Sequence, residues 1–180
     1  LKRIEVGHYN PCEMIKTNVL GAMNVIEAAQ DASYILSGIH YPRPRKVVAL
    51  STDKAFQPIS AYGQSKALAE GLFLAANGSG GVQFSVTRYG NVAGINGSVI
   101  PKWRELSAQG KPITITSPEC TRFWMTMDEA IDLVLDTIEM DGGALNIPTL
   151  PAYRLGELAE AMSPDSVKIT SLPDHEKLHE

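Results

Sequence analysis

The sequence has few of the features that mark disulfide-linked, metal-binding, membrane or nucleic-acid-binding proteins. Cys12 and Cys120 are its only cysteines, far apart and outside any CxxC pair, so a disulfide or zinc framework is not expected. No apolar run approaches the ~20 residues that a membrane-spanning helix needs. The net charge of −4 favours neither nucleic acid nor an anionic membrane surface as a partner. These absences predict a cytoplasmic protein without a metal.

The sequence also has no GxGxxG turn, which in dinucleotide-binding proteins joins the first strand to a helix and holds the pyrophosphate. The nearest glycine-rich run, NGSGG at residues 77–81, lies between a predicted helix and a predicted strand, which is the wrong order for that task. The first residue is Leu1 and not Met. We therefore expect this chain to begin partway through a longer protein and to bind a dinucleotide poorly on its own.

Alternating apolar runs and amphipathic stretches predict a β/α repeat in the first half of the chain. Strand, helix and strand at this spacing indicate a right-handed parallel crossover. The predicted elements are a helix over residues 11–29, a loop over 31–45, a buried strand over 46–52, a helix capped by Ser60 and ending near Ala76, and a second buried strand beginning near Gln83.

After Gly97 the pattern changes to shorter, mixed elements. Helices are predicted over Val99–Ala108, after Asp128 and over Arg154–Met162, with short strands between them. In the middle helix the apolar residues Ile131, Val134, Leu135 and Ile138 recur at helical spacing. We therefore expect a Rossmann-like catalytic part over 1–97 and a smaller mixed α/β substrate part over 98–180, partly interleaved with the first.

Residues 51–66, STDKAFQPISAYGQSK, contain two acid–base pairs. Tyr62 and Lys66 are four residues apart, so on a helix they share one face. A nearby ammonium favours the phenolate and lowers the tyrosine pKa. Such a pair can take a proton from a substrate hydroxyl while a nicotinamide takes the hydride. Asp53 and Lys54 form the second pair, directly after the predicted strand.

This arrangement resembles the extended short-chain dehydrogenase/reductase superfamily, in which a strand-end Ser or Thr, the Tyr and the Lys form the catalytic set. The resemblance implies a Rossmann-like doubly wound parallel sheet and a tightly bound NADP or NAD. It implies that Thr52 contacts the reacting oxygen, that Tyr62 is the base, and that Lys66 lowers the pKa of Tyr62 and holds the nicotinamide ribose. Ser51 and Tyr89 join Tyr62 and Lys66 as expected cofactor contacts.

Within the superfamily, sugar-nucleotide 4,6-dehydratases place an acid and a base directly after the strand-end Thr. Asp53 followed by Lys54 is similar to the C5-inverting members that act on UDP-N-acetylglucosamine in glycan biosynthesis. The resemblance implies that Asp53 is the acid and Lys54 the base of the elimination. It also implies substrate contacts from six residues in two later segments. These are Arg88, Asn91, Gly97, Ser98, Val99 and Arg122.

Two other functions remain open. A nucleotide-sugar 4-epimerase needs Thr52, Tyr62 and Lys66 but not Asp53 and Lys54, and a truncated, non-catalytic UDP-sugar-binding fragment needs none of the five. The final HEKLHE formally matches the HExxH zinc motif through His175 and His179, but zinc needs a third protein ligand. No metal site is expected, and the family resemblance implies a homo-oligomer.

Overall fold

The computed structural model describes residues 2, 4–31, 34–36, 38–95, 98–163 and 166–180. The helices are α1 (Ile4–Tyr9), α2 (Pro11–Met14), α3 (Gly21–Asp31), α4 (Ala61–Ala75), α5 (Val99–Ala108), α6 (Met127–Glu139) and α7 (Leu155–Met162). The strands are β1 (Tyr34–Leu36), β2 (Ile39–Tyr41), β3 (Lys46–Thr52), β4 (Gln83–Tyr89), β5 (Asn91–Val92), β6 (Ile113–Ile115), β7 (Thr121–Met125), β8 (Leu145–Asn146), β9 (Ala152–Arg154) and β10 (Val167–Ile169). The described residues contain no helix long and apolar enough to cross a membrane.

The chain divides into two compact units. The first contains residues 1–89 and 132–148, and the second contains 90–131 and 149–180. The second segment of the first unit carries β8, which pairs with β4, so the chain returns to the first sheet after entering the second unit. These units are defined by compactness alone. The assignment of a catalytic part to 1–97 and a substrate part to 98–180 stays a prediction.

The first unit is built on the parallel sheet β3-β4-β8. The predicted strand over residues 46–52 is confirmed as β3. Ser60 begins α4 as predicted, because its hydroxyl accepts a hydrogen bond from the N–H of Gly63 at 3.1 Å. The core of this unit is formed by buried apolar side chains of α3, α4 and β4 and the residue before β4. These are Ala22, Ile26, Ala29, Ala69, Phe73, Val82, Phe84 and Val86.

The predicted helix over residues 11–29 forms as α2 and α3 joined by a π-helical segment, Ile15–Leu20. In that segment the N–H of Gly21 donates to the carbonyl of Lys16, five residues earlier. The predicted loop over residues 31–45 was wrong in part, because β1 and β2 pair within it as an antiparallel hairpin. Gly38 has a φ of 79° at the turn, a conformation that glycine adopts without strain.

The second unit contains the mixed sheet β5-β7-β9 and the parallel pair β10-β6. Its core gathers Trp103, Ile113, Ile115, Cys120, Leu155 and Ala159. Helix α6 spans the division between the units and is amphipathic as predicted. However, Ile131, Leu135 and Ile138 are exposed. The helix buries Ala130, Leu133 and Thr137 instead, so the apolar pattern marked a face that this chain leaves open.

Candidate functional site

Thr52, Asp53 and Lys54 form a single tight turn at the carboxyl end of β3. Asp53–Ala55 is one turn of 3₁₀ helix, and Thr52 caps it by accepting the N–H of Lys54 at 3.4 Å. The Thr52 hydroxyl also donates to Asp53 Oδ1 at 3.0 Å. In an open α/β sheet, ligands bind beyond the carboxyl ends of the strands, so the turn lies at the usual position of a functional site.

The side chains of Asp53 and Lys54 form an ion pair that is mostly shielded from solvent. Lys54 Nζ lies 3.0 Å from Asp53 Oδ1. The side chain of Lys54 is 16% exposed and that of Asp53 is 9% exposed. The other carboxylate oxygen, Oδ2 of Asp53, is buried and has no hydrogen-bond partner among the described residues. Buried polar atoms are normally paired, so this oxygen is suited to a bound polar group.

Gly63, which the sequence analysis did not single out, allows α4 to approach this turn closely. A Cβ atom at Gly63 would lie 2.2 Å from the carbonyl oxygen of Lys54 and 3.0 Å from Cβ of Pro58. Gln57 in the same connection has a φ of 41°, a strained conformation for a residue other than glycine. The close approach therefore holds the Asp53–Lys54 turn against the helix that carries Tyr62.

Replacing Gly63 with alanine is expected to displace the turn and lower the free energy of unfolding by about 1–3 kcal/mol, because backbone atoms must move to admit the methyl group. Gly71 in the same helix is a matched control, since no described atom lies within 4 Å of its Cβ position. Gly71→Ala is expected to stabilise the protein by up to about 1 kcal/mol. Urea denaturation measures the free energy of unfolding of both variants. Equal changes in Gly63→Ala and Gly71→Ala would contradict the close contact at Gly63.

Tyr62 is buried in the first turn of α4 and is 9% exposed. Burial is the largest influence on its pKa and raises it above the ordinary value. The charge of Asp53 and the neighbouring Tyr89 also raise this pKa, while a side-chain hydrogen bond with Thr52 lowers it. Thr52 and Asp53 are therefore both close enough to Tyr62 to affect its pKa. The catalytic roles of the three residues stay a proposal.

The ammonium of Lys66 is bound by the backbone of β3. It donates to the carbonyl of Leu50 in β3, at 2.6 Å. Burial lowers the pKa of Lys66 itself, and the charge of Glu70 opposes that shift. A lowering of the Tyr62 pKa by Lys66 stays a prediction.

A cavity of about 370 Å³ in the first unit contains two of the residues assigned to the cofactor, Ser51 and Lys66. The hydroxyl of Ser51 is buried without a hydrogen-bond partner among the described residues. A hydroxyl and an ammonium in one cavity fit the hydroxyl groups of a ribose. Tyr89, another assigned residue, lies at the end of β4, where burial raises its pKa. Ser51 and Lys66 therefore fit a ribose, whereas Tyr89 is not among the residues that line the cavity.

Asn18 in the π-helical segment forms a hydrogen bond to α4. Its amide Nδ2 donates to Ser65 Oγ at 2.9 Å, and Ser65 Oγ donates to the carbonyl of Tyr62 at 2.8 Å. The chain of bonds links the irregular helix turn to the first turn of α4. Lys16 in the same segment is exposed and pairs with Glu13 at 3.3 Å.

Arg88, assigned to the substrate, is held inside the first unit by Glu70. Its Nε donates to Glu70 Oε1 at 2.9 Å and its terminal nitrogen contacts Oε2, forming a two-pronged ion pair. Hydrogen bonding to Glu70 raises the pKa of the guanidinium. The pair ties α4 to β4, and a role of Arg88 toward the substrate stays a prediction.

Replacing Glu70 with alanine is expected to lower the free energy of unfolding by about 1–3 kcal/mol, because it leaves the partly buried guanidinium of Arg88 without its partner. The exposed pair of Glu13 and Lys16 is the matched control. Glu13→Ala is expected to cost no more than about 0.5 kcal/mol. Denaturant titration followed by circular dichroism measures both, and a similar small loss in both variants would contradict the structural role of Glu70.

The remaining residues assigned to the substrate belong to the second unit, apart from Gly97, which lies outside the described residues. Asn91 opens β5 and pairs in register with Trp124 of β7. Ser98 precedes α5, which begins at Val99, and the Ser98 hydroxyl is buried without a hydrogen-bond partner among the described residues. A contact of these residues with the substrate stays a prediction.

Arg122 on β7 is buried and already bound by the C-terminal segment. It donates to Glu176 Oε1 at 2.7 Å, to the carbonyl of Leu178 at 3.2 Å and to that of Thr121 at 2.7 Å. Its expected contact with a pyrophosphate stays a prediction, and a phosphate would compete with Glu176.

The HExxH match at residues 175–179 does not form a helix in this structure. The zinc motif needs its two histidines on one helical face. Here His179 Nδ1 lies 2.9 Å from Thr121 Oγ1, and Glu176 pairs with Arg122. The described residues contain no cluster of metal ligands.

Comparison with known proteins agrees with the fold and the motifs. Residues 1–180 match the family described as polysaccharide biosynthesis protein. A UDP-N-acetylglucosamine 4,6-dehydratase (inverting) from Campylobacter jejuni (strain 81-176) is 44% identical over the whole chain, and the chain covers 53% of that relative. A UDP-glucose 4-epimerase from Rickettsia rickettsii is 42% identical over 90% of the chain and 46% of its own length. The chain thus spans about half the length of the curated relatives it matches.

Solved structures show the same architecture. The structure of Pen from Bacillus thuringiensis has a TM-score of 0.88 at 30% identity and covers 99% of this chain, which covers 56% of it. A dTDP-glucose 4,6-dehydratase from Streptomyces venezuelae, solved with NAD bound, has a TM-score of 0.86 at 18% identity over 99% of this chain and 61% of its own. The predicted Rossmann-like α/β fold is confirmed. With its parallel sheet, its Thr-Asp-Lys turn and a family match over its full length, this chain belongs to the polysaccharide biosynthesis protein family.

Proposed function

We propose that this chain carries the catalytic residues of a sugar-nucleotide 4,6-dehydratase acting on UDP-N-acetylglucosamine. The observation that supports this best is the shielded Asp53–Lys54 pair beside buried Tyr62. The proposed reaction needs one group for oxidation at carbon 4 and two for elimination across carbons 5 and 6. The 44% identical relative named as the inverting dehydratase has the same activity in its name.

The oxidation step belongs to Thr52, Tyr62 and Lys66. Thr52 orients the hydroxyl of carbon 4, and Tyr62 takes its proton. Lys66 binds ribose hydroxyls and, when close to Tyr62, stabilises the phenolate. Bound NAD or NADP would supply a hydride acceptor for carbon 4 and a hydride donor for carbon 6. Ser51 and Tyr89 complete the proposed contacts to the cofactor.

The elimination step belongs to the Asp53–Lys54 turn. A ketone at carbon 4 acidifies the proton on carbon 5, and Lys54 removes it as a base. Asp53, in its protonated form, gives a proton to the hydroxyl that leaves carbon 6 as water. The ion pair at 3.0 Å allows a proton to pass between the two side chains, so both can be returned to their starting states.

Six further residues are proposed to contact the sugar nucleotide. Arg88, Asn91, Gly97, Ser98, Val99 and Arg122 remain proposed ligands of the sugar nucleotide. We further propose a homo-oligomer in the cytoplasm, without a nucleic-acid or membrane partner.

A nucleotide-sugar 4-epimerase is the second candidate, supported by the 42% identical relative named UDP-glucose 4-epimerase. Epimerisation at carbon 4 uses Thr52, Tyr62 and Lys66 and needs no acid–base pair for elimination. The buried, paired position of Asp53 and Lys54 therefore favours the dehydratase over the epimerase.

The test is incubation with UDP-N-acetylglucosamine and NAD or NADP, followed by mass spectrometry. The chain is assayed alone and in a mixture with a second polypeptide. This second polypeptide is the part of the Campylobacter jejuni dehydratase that the chain does not match, expressed separately. The second polypeptide alone is the control. A product lighter by one water in either mixture containing the chain supports the dehydratase. A product of unchanged mass with altered configuration at carbon 4 supports the epimerase, and tight UDP binding without turnover supports a non-catalytic fragment.

A further inference from the structure

The sheet β5-β7-β9 of the second unit carries four polar or aromatic side chains on one face. Arg122 and Trp124 are two residues apart on β7, so they share a face of the sheet. Asn91 of β5 is directly opposite Trp124. Tyr153 of β9 is directly opposite Arg122, and residues opposite each other lie on the same face. Asn91, Arg122, Trp124 and Tyr153 therefore form one surface, which we call the β7 face.

Trp124 is the exposed aromatic residue of the β7 face. It is 41% exposed, whereas Trp103, the other tryptophan of the chain, is 2% exposed and lies in the core of the second unit. The ring of Tyr153 packs against the indole edge-to-face, with the ring centroids 6.3 Å apart and the planes at 79°. This packing orients the indole and covers at most one of its two faces. Part of its flat surface is therefore open to a ligand.

Arg122 supplies a positive charge on the same face. A strand rises by about 3.3 Å per residue, so the backbone positions of Arg122 and Trp124 are about 6.6 Å apart. The proposed function assigns Arg122 to the pyrophosphate of the sugar nucleotide. In a nucleoside diphosphate, one ribose separates the phosphates from the base. A phosphate held at Arg122 therefore allows the base to reach Trp124 without any further group between them.

The proposed reaction leaves the base, and not the sugar, as the ligand of Trp124. Carbons 4, 5 and 6 of the sugar are assigned to Thr52, Tyr62 and the Asp53–Lys54 turn, all of which belong to the first unit. The base has no partner among those residues. A pyrimidine ring is flat and has two aromatic faces, so it stacks on an indole over its whole area. A pyranose offers only C–H groups to the same surface.

We propose that Trp124 is the stacking platform for the pyrimidine base of the sugar nucleotide, with Arg122 at the pyrophosphate and Asn91 at the edge of the base. The inference rests on the proposed function, in which Arg122 and Asn91 contact the substrate. The amide of Asn91 has donors and an acceptor, which match the N–H and carbonyl groups of uracil. Stacking is tolerant of the base, because every base has an aromatic face. Trp124 therefore supplies affinity for UDP and does not select uracil over thymine.

Replacing the side chain of Trp124 is expected to leave β7 in place. The backbone N–H of Trp124 donates to the carbonyl of Pro151 at 3.2 Å, and this bond does not depend on the side chain. The neighbouring side chains Arg122 and Met125 are buried and continue to hold the strand. The contribution of the indole to ligand binding can therefore be measured separately from the fold.

The test is calorimetric binding of UDP, inorganic pyrophosphate and N-acetylglucosamine 1-phosphate to the chain. Trp124→Leu is expected to lower the affinity for UDP by about 5–150-fold, the usual effect of losing one base–aromatic stack, and to leave the affinity for pyrophosphate unchanged. Trp124→Phe keeps an aromatic ring and is expected to recover most of the lost affinity. UDP is also expected to quench tryptophan fluorescence in the unsubstituted chain but not in Trp124→Phe, where only buried Trp103 emits.

Equal affinity for UDP in Trp124→Leu and the unsubstituted chain would overturn the platform, and so would a complete lack of UDP binding at millimolar concentration. An equal loss of affinity for UDP and pyrophosphate would also overturn it, because the substitution would then act through Arg122. A matching loss for N-acetylglucosamine 1-phosphate would assign Trp124 to the sugar instead.

These binding measurements need no turnover, so they separate this inference from the proposed function. UDP binding that depends on Trp124, in a chain that removes no water from UDP-N-acetylglucosamine, rejects the proposed function alone. Water loss combined with unchanged UDP affinity in Trp124→Leu rejects the stacking platform alone.

Discussion

Lys54→Ala is expected to stop the loss of water from UDP-N-acetylglucosamine, lowering the rate of product formation by about 10²–10⁴-fold, the usual contribution of a positioned acid or base. Lys54 is proposed as the base at carbon 5, and its ammonium is paired with Asp53 in a shielded turn. Alanine removes the base and leaves the oxidation residues in place. The measurement is mass spectrometry of the sugar nucleotide, made in whichever of the two assay mixtures converts the substrate.

Solvent deuterium makes this result more specific. The unsubstituted chain is expected to incorporate deuterium at carbon 5, while Lys54→Ala is expected to lose that incorporation along with the product. Lys16→Ala is the matched control, since Lys16 is exposed and bound only to Glu13 among the contacts observed for its ammonium. Water loss that survives Lys54→Ala at the control rate would contradict the assignment of Lys54 as the base at carbon 5. A product of unchanged mass formed at the control rate would favour the epimerase, which has no use for that base.

Tyr62→Phe has the second large expected effect, a fall of about 10²–10⁴-fold in the oxidation at carbon 4. The phenol is the proposed base for the carbon 4 hydroxyl, and phenylalanine keeps the ring while removing the oxygen. The variant is therefore expected to stop both the dehydratase and the epimerase reactions. Tyr9→Phe is the control because Tyr9 is 86% exposed.

The pH dependence of the two activities follows from the direction of the Tyr62 pKa. Burial and Asp53 raise this pKa, so the phenolate fraction, and with it the rate of a tyrosine-dependent step, is expected to increase with pH through the neutral range. Asp53→Asn removes the repelling charge and is expected to lower the pKa of Tyr62. A ring titration of Tyr62 that is identical in both proteins would contradict the electrostatic coupling between them.

The same shift has a consequence for stability. A group whose pKa is raised in the folded state contributes stability that is fully present below its unfolded pKa and is lost as pH rises toward the folded value. The pKa values of Tyr62 and Tyr89 are both raised. The free energy of unfolding is therefore expected to decrease above about pH 10, the ordinary pKa of tyrosine. Tyr62→Phe is expected to reduce that decrease, as measured by denaturation at several pH values.

Local signals in the sequence were sufficient for the main elements of the first unit. The unbroken apolar run of β3 and the Ser60 cap of α4 each act within a few residues, so the chain pattern alone predicts them. The hairpin of β1 and β2 was missed because the prolines after it indicate a loop, whereas its pairing depends on Gly38 at the turn. The spacing of apolar residues predicted an amphipathic helix at α6, but periodicity does not reveal which face meets a neighbour, and Ile131, Leu135 and Ile138 are exposed.

In the candidate site, too, some residues were predicted from the sequence and others became apparent only from the structure. Thr52, Asp53, Lys54, Tyr62 and Lys66 are close in the sequence, and their spacing alone suggested two acid–base pairs. Gly63 and Glu70 were missed because their importance depends on contacts with Lys54 and Arg88, which only the packing of α4 creates. A glycine two residues into a capped helix and an acid four residues after Lys66 were the only available signals.

The sequence by itself determined the residue types of the site and the strand and helix that carry them, because backbone propensity and capping act over short distances. The tertiary structure decided their electrostatics and partners. Burial and Asp53 raise the pKa of Tyr62, and the Leu50 carbonyl accepts a hydrogen bond from Lys66. These outcomes depend on distances between segments that are brought together only by folding, and on which edge of β3 has a neighbour.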